Sequence, residues 1–305
     1  MRGFAPLEGS SDFSRVLHRL KNSLKYRLFF AYCRGLERTK KRQLTKLDWP
    51  GKFRDDLPPL VVVTSRKDIP LLLYSLRSLR DAAAAVPEVW LAGDSNESAN
   101  GLKNAFPEPP KNLKIIHWEL FFDELRPAEK RFVETWKNSK PWGGYARKFA
   151  VTLAANRKSA VLLSDADVLW KQDFLPRLEQ LLGSNPTILA GLDHDYSYDR
   201  EMAGALRSEI FSAPPLNCGF VYYSRDILGR TLNESVYAVA QSFAARASTH
   251  LEQTLIAHAF QMAGGQLFKT EEVAVTLADS FCLKEKVSSA VRHYAGAKDL
   301  FWRDA

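Results

Sequence analysis

Two carboxylates one residue apart, Asp165 and Asp167, follow the short apolar run Ala160 to Ser164, and Val168-Leu169-Trp170 come directly after them. A run this short and rich in Val and Leu reads as a buried strand. Side chains alternate across a strand with period two, so the two carboxylates are expected on one side with only Ala166 between them. Carboxylates that close repel unless a cation lies between them. Hard oxygen ligands on a short span suit Mg²⁺ or Mn²⁺, ions that join protein carboxylates to substrate phosphates. An Asp pair at a strand end also serves as a helix cap or a solvated turn, so the metal reading needs support from elsewhere in the chain.

Three later segments are of matching kind. Asn217-Cys218-Gly219-Phe220 stands before the strand candidate Val221-Tyr222-Tyr223; Gly219 allows close backbone approach, and Asn217 offers a donor and an acceptor. His250-Leu251-Glu252-Gln253 opens a helix and joins a carboxylate to an amide, although Glu252 alone reads as a partner of the helix dipole. Arg292-His293-Tyr294-Ala295-Gly296-Ala297-Lys298 sets an imidazole, a glycine and an ammonium close together. A lone His is more often structural, but this grouping suits a metal and a phosphate.

The elements that must position these groups alternate strand and helix. Strands are expected at Leu60 to Thr64, Glu88 to Ala92, Leu113 to Trp118, Val161 to Ser164, Thr187 to Gly191 and Phe220 to Tyr223. Helices are expected from Asp68-Ile69-Pro70 to about Ala85, and over 128–137, 144–157, 173–182, 226–247 and 251–263. That alternation implies an α/β fold with a mostly parallel sheet and helices on both faces. Ligands of such sheets sit beyond the carboxyl ends of the strands, where Thr64-Ser65, Asp94 and the Asp pair all fall.

At 305 residues, 46% apolar and 26% charged, the chain has an ordinary globular composition. Its net charge of +8 is uneven: residues 1–58 hold 14 basic and 6 acidic side chains, and residues 59–305 hold 29 of each. Residues 1–58 are read as a basic, helical amino-terminal arm and linker, bounded by Trp49-Pro50-Gly51 and Pro58-Pro59, and residues 59–305 as the catalytic domain. Phe13, Val16, Leu17, Leu20, Leu24 and Leu28 recur at helical spacing among Arg15, Arg19, Lys21, Lys25 and Arg27. Such a helix packs on the body with a solvated basic face or lies on an anionic membrane surface; nucleic acid is the weaker partner, since no binding motif accompanies the charge. Cys33, Cys218 and Cys282 are odd in number and far apart, which argues against a disulfide framework or a zinc site. With no run near the ~20 apolar residues of a membrane span and no secretory pattern, the expected setting is cytoplasmic, peripheral to a membrane if the arm docks there.

In their order, these segments resemble the nucleotide-sugar glycosyltransferases of the GT-A (Rossmann-like) fold, most closely glycosyltransferase family 8 and its retaining relatives. The resemblance spans about residues 59–302. It implies that Asp165, Asp167 and His293 bind Mn²⁺ (or Mg²⁺) with the donor diphosphate, and that Gly296 and Lys298 touch the phosphates. It implies further that Val62 to Ser65, with Thr64 and Ser65 foremost, and Asp94 line the base and ribose pocket, and that Arg147 or Lys148 faces the diphosphate. Asn217 and Gly219 would line the sugar pocket, and Glu252 and Gln253 would sit near the anomeric carbon. The expected reaction is hexosyl transfer from a UDP-sugar to a saccharide or glycolipid acceptor, with retention. Two departures stand out: one residue, not two, separates Gly296 from Lys298, and Thr254 stands where the family often has an acidic residue.

Residue types alone leave the stereochemistry open. Gln253 facing the anomeric carbon favours front-face retention, whereas Glu252 acting as base on the acceptor would allow inversion. Other classes fit less well. A haloacid-dehalogenase-type Mg²⁺ phosphatase places its Asp pair after the first strand and follows it with Thr or Val where Leu169 stands here. A sugar-1-phosphate nucleotidyltransferase needs a glycine-rich loop, which Val63-Thr64-Ser65-Arg66-Lys67 is not. A non-catalytic sugar- or nucleotide-binding protein would keep the strands without needing the carboxylates and His293 together.

Overall fold

The computed structural model describes residues 24–43, 53–139, 143–183, 187–246, 250–277 and 288–305. The helical pattern read before residue 24, the Trp49-Pro50-Gly51 linker and Cys282 lie outside them.

A first helix, α1 (Leu24–Gln43), precedes β1 (Leu60–Thr64), α2 (Ile69–Ala82), β2 (Val89–Gly93), α3 (Asn96–Ala105) and β3 (Leu113–His117). Then come α4 (Trp118–Phe122), α5 (Pro127–Lys137), α6 (Gly143–Lys158), β4 (Val161–Ser164), β5 (Val168–Trp170), α7 (Leu175–Gly183) and β6 (Ile188–Leu192). The remainder is α8 (Arg200–Ala205), β7 (Leu216–Tyr223), α9 (Ile227–Thr231), α10 (Glu234–Ala244), α11 (Leu251–Ala263), β8 (Gln266–Leu267), β9 (Val273–Val275), β10 (Val291–His293) and α12 (Lys298–Asp304).

Seven strands form the main sheet in the order β8-β6-β7-β4-β1-β2-β3. The β4-β1-β2-β3 half is parallel, and β7 runs antiparallel to both β4 and β6. The fold is therefore α/β with a mostly parallel sheet. One apolar core lies on the face covered by α5, α6, α10 and α11, built on Phe132, Trp136, Phe149 and Leu153. The other lies under α2 and α12, built on Leu72, Leu76, Phe174, Phe220 and Trp302. Both faces of the parallel strands are buried, which is why these strands read as unbroken apolar runs.

Several boundaries differ from the sequence reading for physical reasons. β7 begins at Leu216, so Asn217-Cys218-Gly219 lies inside the strand and not in a turn before it. A register shift between Ala190 and Gly191 absorbs the irregularity. The span 226–247 is two helices, because Asn233 caps a new helix by accepting from the Val236 amide. Helix α3 was not foreseen: its sequence NESANGLKNA is polar and contains a glycine, and a Ser95 cap starts it.

A second, three-stranded sheet (β9-β10-β5) was also not foreseen. Here β10 pairs antiparallel with β5, setting His293 opposite Val168. Asp165-Ala166-Asp167 is the turn that joins β4 of the main sheet to β5 of the small one. The strand alternation used to align the two carboxylates therefore does not apply; the turn aligns them instead.

Helix α1 packs on the body. Phe30 and Cys33 are buried, Lys40 Nζ donates to the carbonyls of Trp302 (2.8 Å) and Ala305 (2.7 Å), and the Tyr74 hydroxyl donates to Lys40 O at 3.0 Å. No described helix is long and apolar enough to cross a membrane.

Candidate active site

The Asp165-Ala166-Asp167 turn is fixed by its backbone. Asp165 N donates to Gly219 O at 2.7 Å, and Tyr294 N donates to Asp167 O at 3.0 Å, so each carboxylate is tied to a different sheet. His293, at the end of β10, completes a group of three ligand atoms that lie within 4.8 Å of one another. Its Nε2 stands 3.3 Å from Asp167 Oδ1 and 3.6 Å from Asp165 Oδ2. Donors at adjacent positions around a small divalent ion, with bonds of about 2.1 Å, lie ~3 Å apart.

The orientation of the imidazole is built by β7. Asn217 Oδ1 accepts from Gly219 N (2.9 Å) and from His293 Nδ1 (2.7 Å), which leaves Nε2 aimed at the carboxylates, where it donates to them when protonated and would be a metal ligand once that proton is given up. A Cβ on Gly219 would fall on the His293 ring. Gly219 thus makes room for the imidazole, and Asn217 holds it. The donor set of two carboxylates and one imidazole fits Mn²⁺ or Mg²⁺ and leaves one side for further oxygen ligands.

Burial pushes the Asp167 carboxyl up, but the hydrogen bond and charge of His293 outweigh it and hold the group below its ordinary range. Burial likewise pulls the imidazole down, and Asp167 and Asp165 more than reverse it.

Lys148, on α6, reaches the same turn. Its Nζ lies 2.8 Å from Asp165 Oδ1 and 3.3 Å from Glu252 Oε1. Burial disfavours its charge, yet the two carboxylates raise it well above the lysine range. Glu252, buried at the start of α11, receives less: that oxygen has no hydrogen bond of good geometry. Burial pushes its carboxyl up to about 7, with Lys148 opposing and Asp165 assisting. The ammonium belongs first to Asp165, and Glu252 stands behind it.

Gln253, next on α11, turns the other way. Its Nε2 donates to Asp193 Oδ2 (3.4 Å) and to Leu216 O (3.3 Å), while Asn217 Nδ2 donates to the same Asp193 oxygen at 3.1 Å. Asp193 therefore links the glutamine to the residue that holds His293. Asp193 lies directly after β6, followed by the polar His194 and Asp195. Asp94 and Asp165 likewise follow the last residue of their strands.

The remaining expected residues ring the same edge of the sheet. Thr64 is buried and its hydroxyl donates to Ser65 O; Ser65 Oγ donates to Asp68 Oδ2 at 2.8 Å. Asp94 accepts from Ser98 Oγ at 2.5 Å and faces Gly144 at the start of α6. Asp94 and Asp165 follow the strands on either side of β1. Lys298 donates to Asp68 Oδ1 at 2.6 Å, and Gly296 before it takes φ +65°, which a side chain would strain. Arg147 lies over the Trp118 ring at 5.6 Å, away from the Asp165 side that Lys148 takes. Val62 is buried in the core. Asn217 and Gly219, expected at a sugar pocket, stand against the His293 ring.

The sequence matches no protein-family model and no curated protein sequence. Solved structures do match. Mouse xyloside xylosyltransferase 1, in its apo form, superposes with a TM-score of 0.55 at 12% identity over 78% of this chain and 98% of that one. The galactosyltransferase LgtC, solved with donor and acceptor sugar analogs, gives 0.52 at 13% identity over 78% of this chain and 87% of that one. An active-site mutant of LgtC gives 0.51 at 14% over the same shares. The chain has the GT-A glycosyltransferase fold. In that fold, the Asp165, Asp167 and His293 group lies at the carboxyl edge of the parallel strands, where ligands of open α/β sheets bind.

Proposed function

We propose that the chain transfers a sugar, a hexose in the first instance, from a nucleotide-diphosphate sugar to a saccharide or glycolipid acceptor. UDP-sugars are the first donors to test and Mn²⁺ the first cation. One observation carries this reading: two carboxylates and a pre-oriented imidazole converge at the strand edge of a glycosyltransferase fold.

In this reading Asp165, Asp167 and His293 hold the cation, which when bound stabilises the nucleoside diphosphate leaving group as charge develops. Lys148 occupies one oxygen of Asp165 and so turns the other toward the imidazole side. Lys298, raised above the ordinary lysine range by Asp68 against the pull of burial, adds positive charge at the rim for the phosphates. Thr64, Ser65 and Asp94 line the neighbouring strand ends for the nucleoside.

Gln253 commits its Nε2 to Asp193 and the Leu216 carbonyl, which leaves Oε1 to face an electron-poor anomeric carbon. Glu252 is buried against Lys148, a poor place for a base that must reach an acceptor hydroxyl. That difference supports retention over inversion. The phosphatase alternative loses its footing, because β1 ends in Thr64-Ser65 and carries no carboxylate pair.

The test is a panel of UDP-, GDP- and CMP-sugars with and without Mn²⁺, read by thermal shift and by release of free nucleotide. A Mn²⁺-dependent rise in melting temperature with one nucleotide class, together with its release, is the expected result. Binding without any turnover across the panel and a range of saccharide acceptors would leave a sugar-nucleotide binding protein.

A further inference from the structure

Helix α1 has two faces with different fates. Its inner face, with Phe30, Cys33 and Lys40, is spent on α12 and Tyr74. Its outer face carries Leu28 and Tyr32, one turn apart and 62% and 59% exposed, two of the largest apolar exposures among the described residues. Arg27, Arg34, Arg38 and Arg42 are exposed on the same helix. Over Leu24–Gln43 there are seven basic residues and one acidic one, and that Glu37 is already paired with Lys41. Residues 59–305, by contrast, balance at 29 basic and 29 acidic.

We propose that the outer face of α1 docks on an anionic lipid surface, with Leu28 and Tyr32 entering the headgroup region and the arginines lying against lipid phosphates. A basic helix with exposed aliphatic and tyrosyl side chains is suited to the boundary between headgroups and acyl chains. Charge alone would suit any polyanion; the apolar pair favours a surface that has an apolar layer beneath its charge.

The fold gives this docking a consequence. α12 begins at Lys298, on the rim of the candidate active site, and packs along α1, with Arg34 and Glu37 acting on Asp299 at its start and Lys40 holding the carbonyls at its end. The rim of the site is therefore one short helix away from the docked element, which suits an acceptor carried on a lipid. This last point rests on the sugar-transfer reading; the docking does not.

The test uses the full chain in flotation with vesicles of phosphatidylcholine alone or with phosphatidylglycerol added. Binding is expected only with the anionic lipid and is expected to weaken as salt rises. Arg38→Glu/Arg42→Glu should reduce binding about 30-fold or more with unchanged melting temperature. Leu28→Ser/Tyr32→Ser should also reduce it while leaving the charge intact. Absent binding to anionic vesicles, or binding that neither double variant alters, overturns the proposal. So does tighter binding to a single-stranded RNA oligomer that Leu28→Ser/Tyr32→Ser leaves untouched, since phosphate alone would then be the partner. None of these readouts depends on turnover, so a failed docking and a failed transferase reading are separate results.

Discussion

The ring of His293 occupies the space where a side chain on Gly219 would begin, and Asn217, two residues away on the same strand, holds that ring by its Nδ1. Strand β7 thus acts as a mould for an imidazole that comes from another sheet.

A ligand can therefore be lost without deleting it. Gly219→Ala should displace His293 and lower Mn²⁺ affinity about as far as His293→Ala does. Asn217→Ala should reduce Mn²⁺ affinity about 10- to 100-fold by freeing the ring. Isothermal titration with MnCl₂ and nucleoside diphosphate checks both; unchanged affinity in Asn217→Ala would mean the amide does not orient the ring.

Asp167→Ala should abolish Mn²⁺-dependent nucleotide binding and sugar transfer while the fold persists. The carboxylate sits in a turn, so removing it takes away a ligand and little core packing. Circular dichroism and a Mn²⁺ thermal-shift series measure the two halves of that statement. Full activity in this variant would remove the metal assignment.

Lys148→Met leaves Asp165 and Glu252 facing each other without their ammonium. Stripping one partner from a buried charge cluster costs about 3–5 kcal/mol. Urea unfolding without divalent metal should show that loss, and added Mn²⁺ should recover part of it by supplying positive charge beside Asp165. A loss that Mn²⁺ leaves unchanged would argue that Lys148 only packs.

Glu252 predicts a pH slope. Burial lifts its carboxyl from the usual range to about 7, so the folded protein holds a proton that the unfolded chain releases. Stability from this group is full below the unfolded value of ~4.5 and is lost as pH rises toward 7. Glu252→Gln removes that term, so its melting temperature relative to the parent should climb between about pH 5 and pH 8. Scanning fluorimetry in metal-free buffer tests this; a constant difference across the range would contradict it.

Much of this architecture was legible in the residues. Leu60 to Thr64 and Val161 to Ser164 are apolar runs because both faces of their sheet are covered, and they fall where they were expected. The Asp pair is legible as a metal ligand by type and spacing, whereas its grouping with His293 rests on the resemblance of the ordered segments to GT-A glycosyltransferases. What stayed hidden was pairing at a distance. Nothing local in Val291-Arg292-His293 tells that it lies against Val168-Leu169-Trp170, because three-residue strands carry no period. The choice of Lys148 over Arg147 for the carboxylates depends on the rotation of α6, and the partnership of Asp193 with Gln253 on a contact 60 residues apart. Polar side chains in turns look alike until the chain is closed.

The turn at Asp165-Ala166-Asp167 is also a hinge pin between two sheets, with His293 reaching it from the small sheet and Gly219 bracing it from the large one. An ion gripped there would act as a rivet: to let go of either sheet the protein must first surrender the ion. Occupancy and the docking of the small sheet are then one equilibrium, and the amides of Val291 to Tyr294 would exchange with solvent more slowly whenever the ion is in place.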